Sequence, residues 1–317
     1  MFDVITIGDA MITFNPSHKG PLRFSSSFER SAGGAEFNFA IGSARLGLRT
    51  GWISRLGHDE FGKYIRNFAR GEGVDLTGVE LLDQYSTSLN FKEVRESGEG
   101  STFYYRFPSP TEALTEQTLD EQLLRNTRVL HITGVFAAID PKKNIPLLKR
   151  AITIAKDHGA LISFDPNIRL KLWSKEEARK GILELLPYVD LILTGLDEAD
   201  LLIGEREPRA IIEAFKRYGI SMIAIKRGED GAIGYDGRST IEAPAKPPEK
   251  VVDTVGAGDG FDAGFVFGIL QGWGLKRTLE FANTIGSMVV SVNGDNEGLP
   301  ELDEVLIRLG EKEFVER

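Results

Sequence analysis

The sequence predicts an α/β fold: a three-layer α/β/α sandwich around a mostly parallel central sheet. Three observations carry this. Short apolar runs alternate with amphipathic segments along most of the chain, as when buried strands are covered by helices on both faces. Two glycine turns, at Gly33-Gly34 and at Gly256-Ala257-Gly258, each open a helix. The chain has 317 residues and is 41% hydrophobic, enough to bury one large core, so a single domain spanning 1–317 is expected.

In order, the apolar runs place strands at 2–8, 50–55, 128–133, 160–165, 189–193 and 221–226. The amphipathic segments between them place helices at 34–47, 59–72, 143–158, 175–186 and 208–218. The first helix follows the paired glycines and stops near Leu46-Gly47. Two short strands follow near 231–235 and 239–243, and the bend Ala245-Lys246-Pro247-Pro248 leads to the second glycine turn. Helices at 257–271, 276–291 and 301–311 complete the body, and Phe261, Phe265, Val266, Phe267, Ile269 and Leu270 are core candidates in the first of these.

Segments 11–31 and 84–108 break the alternation. The second reads as a hairpin, Ser88–Val94 and Ser101–Phe107 flanking Ser97-Gly98-Glu99-Gly100, and the two segments are expected to form a lid inserted in the α/β body. Strand alternation puts Tyr104 and Arg106 on one face, to grip a ligand, and Phe103, Tyr105 and Phe107 on the other, to pack against the body or a second subunit.

The most informative stretch is Asp253-Thr254-Val255-Gly256-Ala257-Gly258-Asp259. A helix N-terminus has unpaired N–H groups and partial positive charge, so the amides of Gly256, Ala257, Gly258 and Asp259 suit a phosphate. A carboxylate beside an anion site needs a reason, and accepting a proton from an attacking hydroxyl supplies one for Asp259. The plain alternative, a helix capped by Asp253 or Thr254, explains neither the further glycines nor the second acid. Near the start of the chain, Ala32-Gly33-Gly34-Ala35-Glu36-Phe37-Asn38 is a weaker signal that also fits any tight strand-to-helix turn.

Together the two motifs resemble the ribokinase-like, or PfkB, sugar kinases, with Gly-Gly-x-x-x-Asn near the start and Asp-Thr-x-Gly-Ala-Gly-Asp near the end. The resemblance covers essentially the whole chain and implies a ribokinase-like fold, ATP and Mg²⁺ as cofactors, and transfer of phosphate to a sugar hydroxyl. Phe103-Tyr104-Tyr105-Arg106 and Asp165-Pro166-Asn167-Ile168-Arg169-Leu170-Lys171-Leu172-Trp173 are similar to signatures of the 2-keto-3-deoxygluconate kinases, with fructokinase and 5-keto-2-deoxygluconate kinase as alternatives. A catalytically silent sugar or nucleotide sensor on the same fold is the alternative from another class.

By resemblance, Asp9, Gly33, Gly34 and Asn38 line the sugar pocket with Asn90, Tyr104, Arg106 and Arg169. Arginine suits an acidic sugar, since a guanidinium holds a carboxylate with paired charge-assisted hydrogen bonds. On the nucleotide side the resemblance implies Asn167, Lys226, Gly228, Gly231 and Asn283. The segment Lys226–Ala232 also fits a plain hairpin turn. Glu198 matches the acid of a motif associated with magnesium. Two positions depart from the pattern: Gly195 stands where that motif has Asn, and Asn90 stands where the keto-deoxygluconate kinases often have Tyr.

Composition narrows the class further. With 38 Lys and Arg against 47 Asp and Glu the net charge is −9, which argues against a nucleic-acid surface. There is no cysteine, so disulfides and thiolate metal sites are excluded. The N-terminal residues are too acidic for a secretory signal and no apolar run approaches the ~20 residues a membrane helix needs, so a cytoplasmic enzyme is expected. The aromatic face of the hairpin leads to the expectation of a homodimer or larger homo-oligomer.

Overall fold

The computed structural model describes residues 1–95 and 100–313. In chain order the strands are β1 (Phe2–Ile7), β2 (Met11–Pro16), β3 (Phe28–Gly33), β4 (Thr50–Gly57), β5 (Val79–Leu82), β6 (Leu89–Val94), β7 (Gly100–Tyr105), β8 (Thr127–Thr133), β9 (Leu161–Asp165), β10 (Leu191–Gly195), β11 (Met222–Lys226), β12 (Ala232–Tyr235) and β13 (Thr240–Ala243). The α-helices are α1 (Ala35–Arg45), α2 (Glu60–Gly71), α3 (Glu121–Arg125), α4 (Gly134–Ile139), α5 (Pro141–Lys156), α6 (Lys175–Leu183), α7 (Leu196–Ile203), α8 (Pro208–Lys216), α9 (Ala257–Leu270), α10 (Leu275–Val289) and α11 (Leu302–Leu309).

The large sheet runs β13-β12-β11-β10-β9-β8-β1-β4-β5. It is parallel from β5 to β11, and β12 and β13 add an antiparallel edge. One face is covered by a core that includes Phe136, Leu148, Ile182 and Phe215. The other carries Phe37, Trp52, Phe265 and Phe281. The sandwich is therefore the one expected. From β1 the chain builds outward first through β4 and β5, then on the opposite side through β8 to β11. That reversal opens a crevice at the carboxyl ends of β1 and β8, the place where α/β sheets bind ligands.

Four short elements, β5, α3, α4 and α7, have no counterpart in the sequence reading, because runs of four to eight residues carry too little periodicity to register. The helix expected from 143 begins two residues earlier, where Asp140 caps it through the amide of Lys143 and Pro141 occupies the first turn.

The two segments that broke the alternation form a second sheet, ordered β3-β2-β6-β7. It is mixed: β2 pairs antiparallel with β3 but parallel with β6, which in turn pairs antiparallel with β7. The hairpin at β6 and β7 was expected; the parallel seam was not, because strands from separate segments can meet in either direction. Of the expected turn, residues 97–99 lie outside the described residues. Phe14 stacks on Phe91 at 4.7 Å and meets Phe61 of α2 edge-on at 5.8 Å, which fastens this sheet to the body. The alternation along β7 and just beyond it holds as read: Tyr104 and Arg106 line the crevice, while Phe103, Tyr105 and Phe107 do not and are exposed.

Candidate active site

Between the carboxyl edge of the large sheet and the small sheet lies a cavity of about 890 Å³. Its floor includes the start of α9. Gly256 is the N-cap of that helix with φ +79°, and a Cβ there would stand 2.1 Å from the carbonyl oxygen of Asp295, so only glycine fits. The amide of Ala257 is taken by the carbonyl of Thr254 at 3.4 Å, which removes it from the expected anion-binding set. Gly258 and Asp259 follow in the first turn, where a helix has no acceptors of its own.

Asp259 faces the cavity but is only 7% exposed. Its Oδ2 accepts from Asn38 Nδ2 at 2.8 Å and its Oδ1 from Asn167 Nδ2 at 3.4 Å. Burial pushes its carboxyl up to about 6, against the pull of the Asn38 hydrogen bond. Asn38 is in the first turn of α1, so the two glycine turns, distant in sequence, meet at this carboxylate. Asn167 has φ +35°, a conformation asparagine tolerates, and its amide donates to Asp165 Oδ1 at 3.1 Å.

Lys226 lines the cavity at the end of β11 but is already paired. Its Nζ lies 3.2 Å from Asp165 Oδ2 and 3.1 Å from Asp262 Oδ1. Burial opposes its charge, yet the two carboxylates raise its pKa, while burial raises that of Asp262. Gly228 and Gly231 form the turn from β11 to β12 and lie off the cavity wall, which agrees with the plain hairpin reading of that segment. Asn283 also lies off the wall: its Nδ2 donates to the carbonyls of Ala243 and Pro244 at 2.9 and 3.3 Å, tying α10 to the chain after β13.

On the sugar side, Gly33, Gly34, Asn38, Asn90, Tyr104 and Arg106 line the cavity. Asp9 does not. Its carboxylate is 1% exposed and accepts from Arg106 Nε at 3.0 Å, so Arg106 screens it from the cavity. Gly34 has φ +150° and a Cβ would sit 2.5 Å from the Asp9 carbonyl, which explains the glycine. Asn90 donates to Thr13 Oγ1 at 3.0 Å. Arg169 lines the same cavity, is exposed, and forms no ion pair among the described residues.

Glu198 accepts from the amides of Ile168 at 2.9 Å and Gly195 at 2.8 Å, and burial raises its pKa. With both oxygens engaged, it suits a magnesium that arrives with phosphate oxygens and keeps its waters better than one held in an all-protein cage. Among the described residues no cluster of three or more His, Cys, Asp or Glu has metal-ligating geometry.

Residues 1–302 match the family model described as pfkB family carbohydrate kinase. The chain is a pfkB family carbohydrate kinase. This kinase is 34% identical over 305 residues to a Bacillus subtilis 2-dehydro-3-deoxygluconokinase, covering 96% of the chain and 94% of the relative. It is 30% identical over 335 residues to a Clostridium perfringens 5-dehydro-2-deoxygluconokinase, covering 100% and 93%. An Escherichia coli protein assigned as a ribokinase II, solved with ATP and Mg²⁺, superposes with a TM-score of 0.91 at 28% identity, covering 98% of this kinase and 100% of that chain.

Three polar residues of the kinase's cavity region escaped the sequence reading: Lys92, Asp295 and Asp262. Lys92 was within reach, since it shares a strand face with Asn90. Asp295 sits in a loop rich in Gly, Asn and Asp that carries no periodic signal.

Proposed function

We propose that the kinase uses ATP to phosphorylate the primary hydroxyl of a sugar acid, 2-keto-3-deoxygluconate, giving 2-keto-3-deoxy-6-phosphogluconate. The observation that carries the substrate reading is that two arginines, Arg106 and Arg169, line the same cavity as the buried carboxylate of Asp259. A neutral sugar gives them no carboxylate to hold. The Bacillus subtilis relative carries the corresponding name.

In this reading Asp259 accepts the proton of the attacking hydroxyl, with Asn38 and Asn167 fixing its orientation. The amides of Gly258 and Asp259 meet the charge of the transferring phosphoryl group. Lys226 pairs with Asp165 and Asp262 behind the base and offsets part of the negative charge that faces Asp259. Glu198 and the loop at Asn167 flank the phosphates. Magnesium arriving with ATP would be met by Glu198 and would supply positive charge to offset that of the phosphates. Arg169 is free to meet the sugar carboxylate, and Arg106 combines that task with holding Asp9.

A second reading, 5-keto-2-deoxygluconate as substrate, is favoured by Asn90 and by the Clostridium perfringens relative. A coupled ADP-release assay separates them: 2-keto-3-deoxygluconate should give the highest kcat/KM among it, 5-keto-2-deoxygluconate, fructose and ribose. Preference for a neutral sugar would end the sugar-acid reading. Arg169→Met should lower kcat/KM on the sugar acid by about tenfold to a hundredfold, the effect of losing one charge-assisted hydrogen bond, and leave fructose nearly unaffected.

The same proposal makes the kinase a cytoplasmic homodimer or larger oligomer joined through the outer face of the small sheet. Among the described residues no helix is long and apolar enough to cross a membrane. Phe103, Tyr105 and Phe107 are 45, 67 and 60% exposed, an aromatic row suited to cover by a second copy. A monomer by light scattering at micromolar concentration would refute it.

A further inference from the structure

Lys92 projects from β6 of the small sheet, and its Nζ stands between two carboxylates of the body: 2.7 Å from Asp295 Oδ1 and 3.6 Å from Asp253 Oδ2. The three side chains are 15, 9 and 18% exposed, so the contact is largely shielded from solvent. Asp295 is also held by the small sheet through its other oxygen, which accepts from Thr13 Oγ1 at 3.0 Å.

Both acids bear on the start of α9. The Asp295 carbonyl packs against Gly256 so closely that no Cβ would fit between them. Asp253 Oδ1 accepts from the amide of Val255 at 3.1 Å, and the amides of Val252 and Asp253 donate to the carbonyl of Val290 at 2.8 and 3.3 Å. Two loops of the body, one before α9 and one after α10, thus meet at a single ammonium supplied by the small sheet. Without it, two partly buried carboxylates would share the space uncompensated, a repulsion strong enough to move one of them. The other lysine joining the sheets, Lys171, donates to the carbonyl of Thr102 at 3.0 Å from an exposed position and touches neither loop.

We propose that Lys92 is a positioning residue that couples the seating of the small sheet to the conformation of the 253–259 loop, so that the first-turn amides of α9 are aligned for phosphoryl transfer only while its ammonium bridges Asp253 and Asp295. It takes no part in proton transfer. The proposal rests on the kinase reading of the site but not on which sugar is the substrate.

Hydrogen exchange on the ligand-free enzyme tests the coupling without any substrate. In Lys92→Met, amides of the segment 254–259 should exchange at least about threefold faster while those of β11 stay unchanged, and Lys92→Arg should restore the original rates. Kinetics on 2-keto-3-deoxygluconate and on fructose, as an acidic and a neutral probe, supply the second readout. Lys92→Met should lower kcat on both by a similar factor, roughly tenfold to a hundredfold, with KM for ATP nearly unchanged, and Lys92→Arg should recover most of it. Should Lys92→Met not fold, Lys92→Met combined with Asp295→Asn removes charge from both sides. It should be no slower than about threefold below Asp295→Asn alone, since the interaction is then already lost. Unaltered exchange at 254–259 in Lys92→Met, or a defect confined to KM for the sugar acid, would overturn the proposal; the latter would make Lys92 a substrate contact. For the double variant, a rate more than about threefold below that of Asp295→Asn alone would do the same.

Discussion

Two helices of this kinase open in almost the same way and hold their acids in opposite settings. Both α1 and α9 follow a glycine turn, both carry an acid in the first turn, and both acids are buried: Glu36 is 0% and Asp259 7% exposed. The difference is where their oxygens point. Glu36 Oε1 accepts from Thr133 Oγ1 and from the amide of Phe136 at 3.1 Å, and its carboxyl packs on Gly8 so tightly that a Cβ there would fall 2.3 Å away. That acid braces β1, β8 and α4 from inside the body. Asp259 is held by two asparagine amides and looks into the cavity. Burial raises both, Glu36 to about 7 and Asp259 to about 6, so an elevated pKa alone does not distinguish a base from a brace. Access does: Asp259 lines the cavity and Glu36 does not.

The sharpest way to break this contrast is Asp259→Asn. Turnover should fall by ~10²–10⁴, the range for losing a positioned general base, while ATP and sugar still bind by calorimetry. Because the folded pKa of Asp259 lies above its unfolded value, ionisation costs stability as pH rises through about 6. The neutral variant should therefore be more stable at pH 7.5, by on the order of 2 kcal/mol in chemical denaturation. Near-normal turnover would remove Asp259 from the role of base.

For Glu36 the order is reversed. Glu36→Ala leaves a cavity and two unpaired donors, and should destabilise the fold by roughly 2–4 kcal/mol. Glu36→Gln keeps an acceptor for Thr133 and Phe136 and should hold kcat within about threefold of the parent. If Glu36→Gln were as slow as Asp259→Asn, the division of labour between the two helices would collapse.

The smallest effect sharpens the link between them. With Asp259 as the proposed base its ionised form is the active one, so kcat/KM should rise with pH through about 6 and then level. The Asn38 hydrogen bond favours that ionised form. Removing it in Asn38→Ala should move the rising limb of the profile upward by on the order of one pH unit, with a modest loss at pH 8. A limb that stays in place would mean that Asn38 does not act on the Asp259 equilibrium.

The same pair of helices shows what was legible in the sequence. Glycine turns leave a local trace, because only a few residue types fit there, so Gly33, Gly34, Gly256 and Asp259 could be read directly and the alternating runs gave the sheet that carries them. Long-range pairing leaves no such trace. Nothing near Arg106 announces that Asp9 will take its Nε, and nothing near Lys226 announces two carboxylates, so the ligand roles expected of them came without these protein partners. Asn283, which the resemblance puts on the nucleotide side, likewise has its amide taken by backbone carbonyls that no local pattern announces. The small sheet was half legible: alternation found its hairpin, while its parallel seam joins Ile12, Thr13 and Phe14 to partners more than seventy residues away.

The hydrogen bond between Asn38 and Asp259 spans 221 positions of the chain, and the one between Thr13 and Asp295 spans 282. Loops of that length close late when a chain folds, after the locally connected strand and helix units have assembled. On a ribosome the last partner, Asp295, emerges only after every described strand of both sheets, so a nascent chain should acquire most of its sheet well before it can transfer a phosphate. Burst refolding followed by delayed recovery of activity would be the kinetic signature of that order.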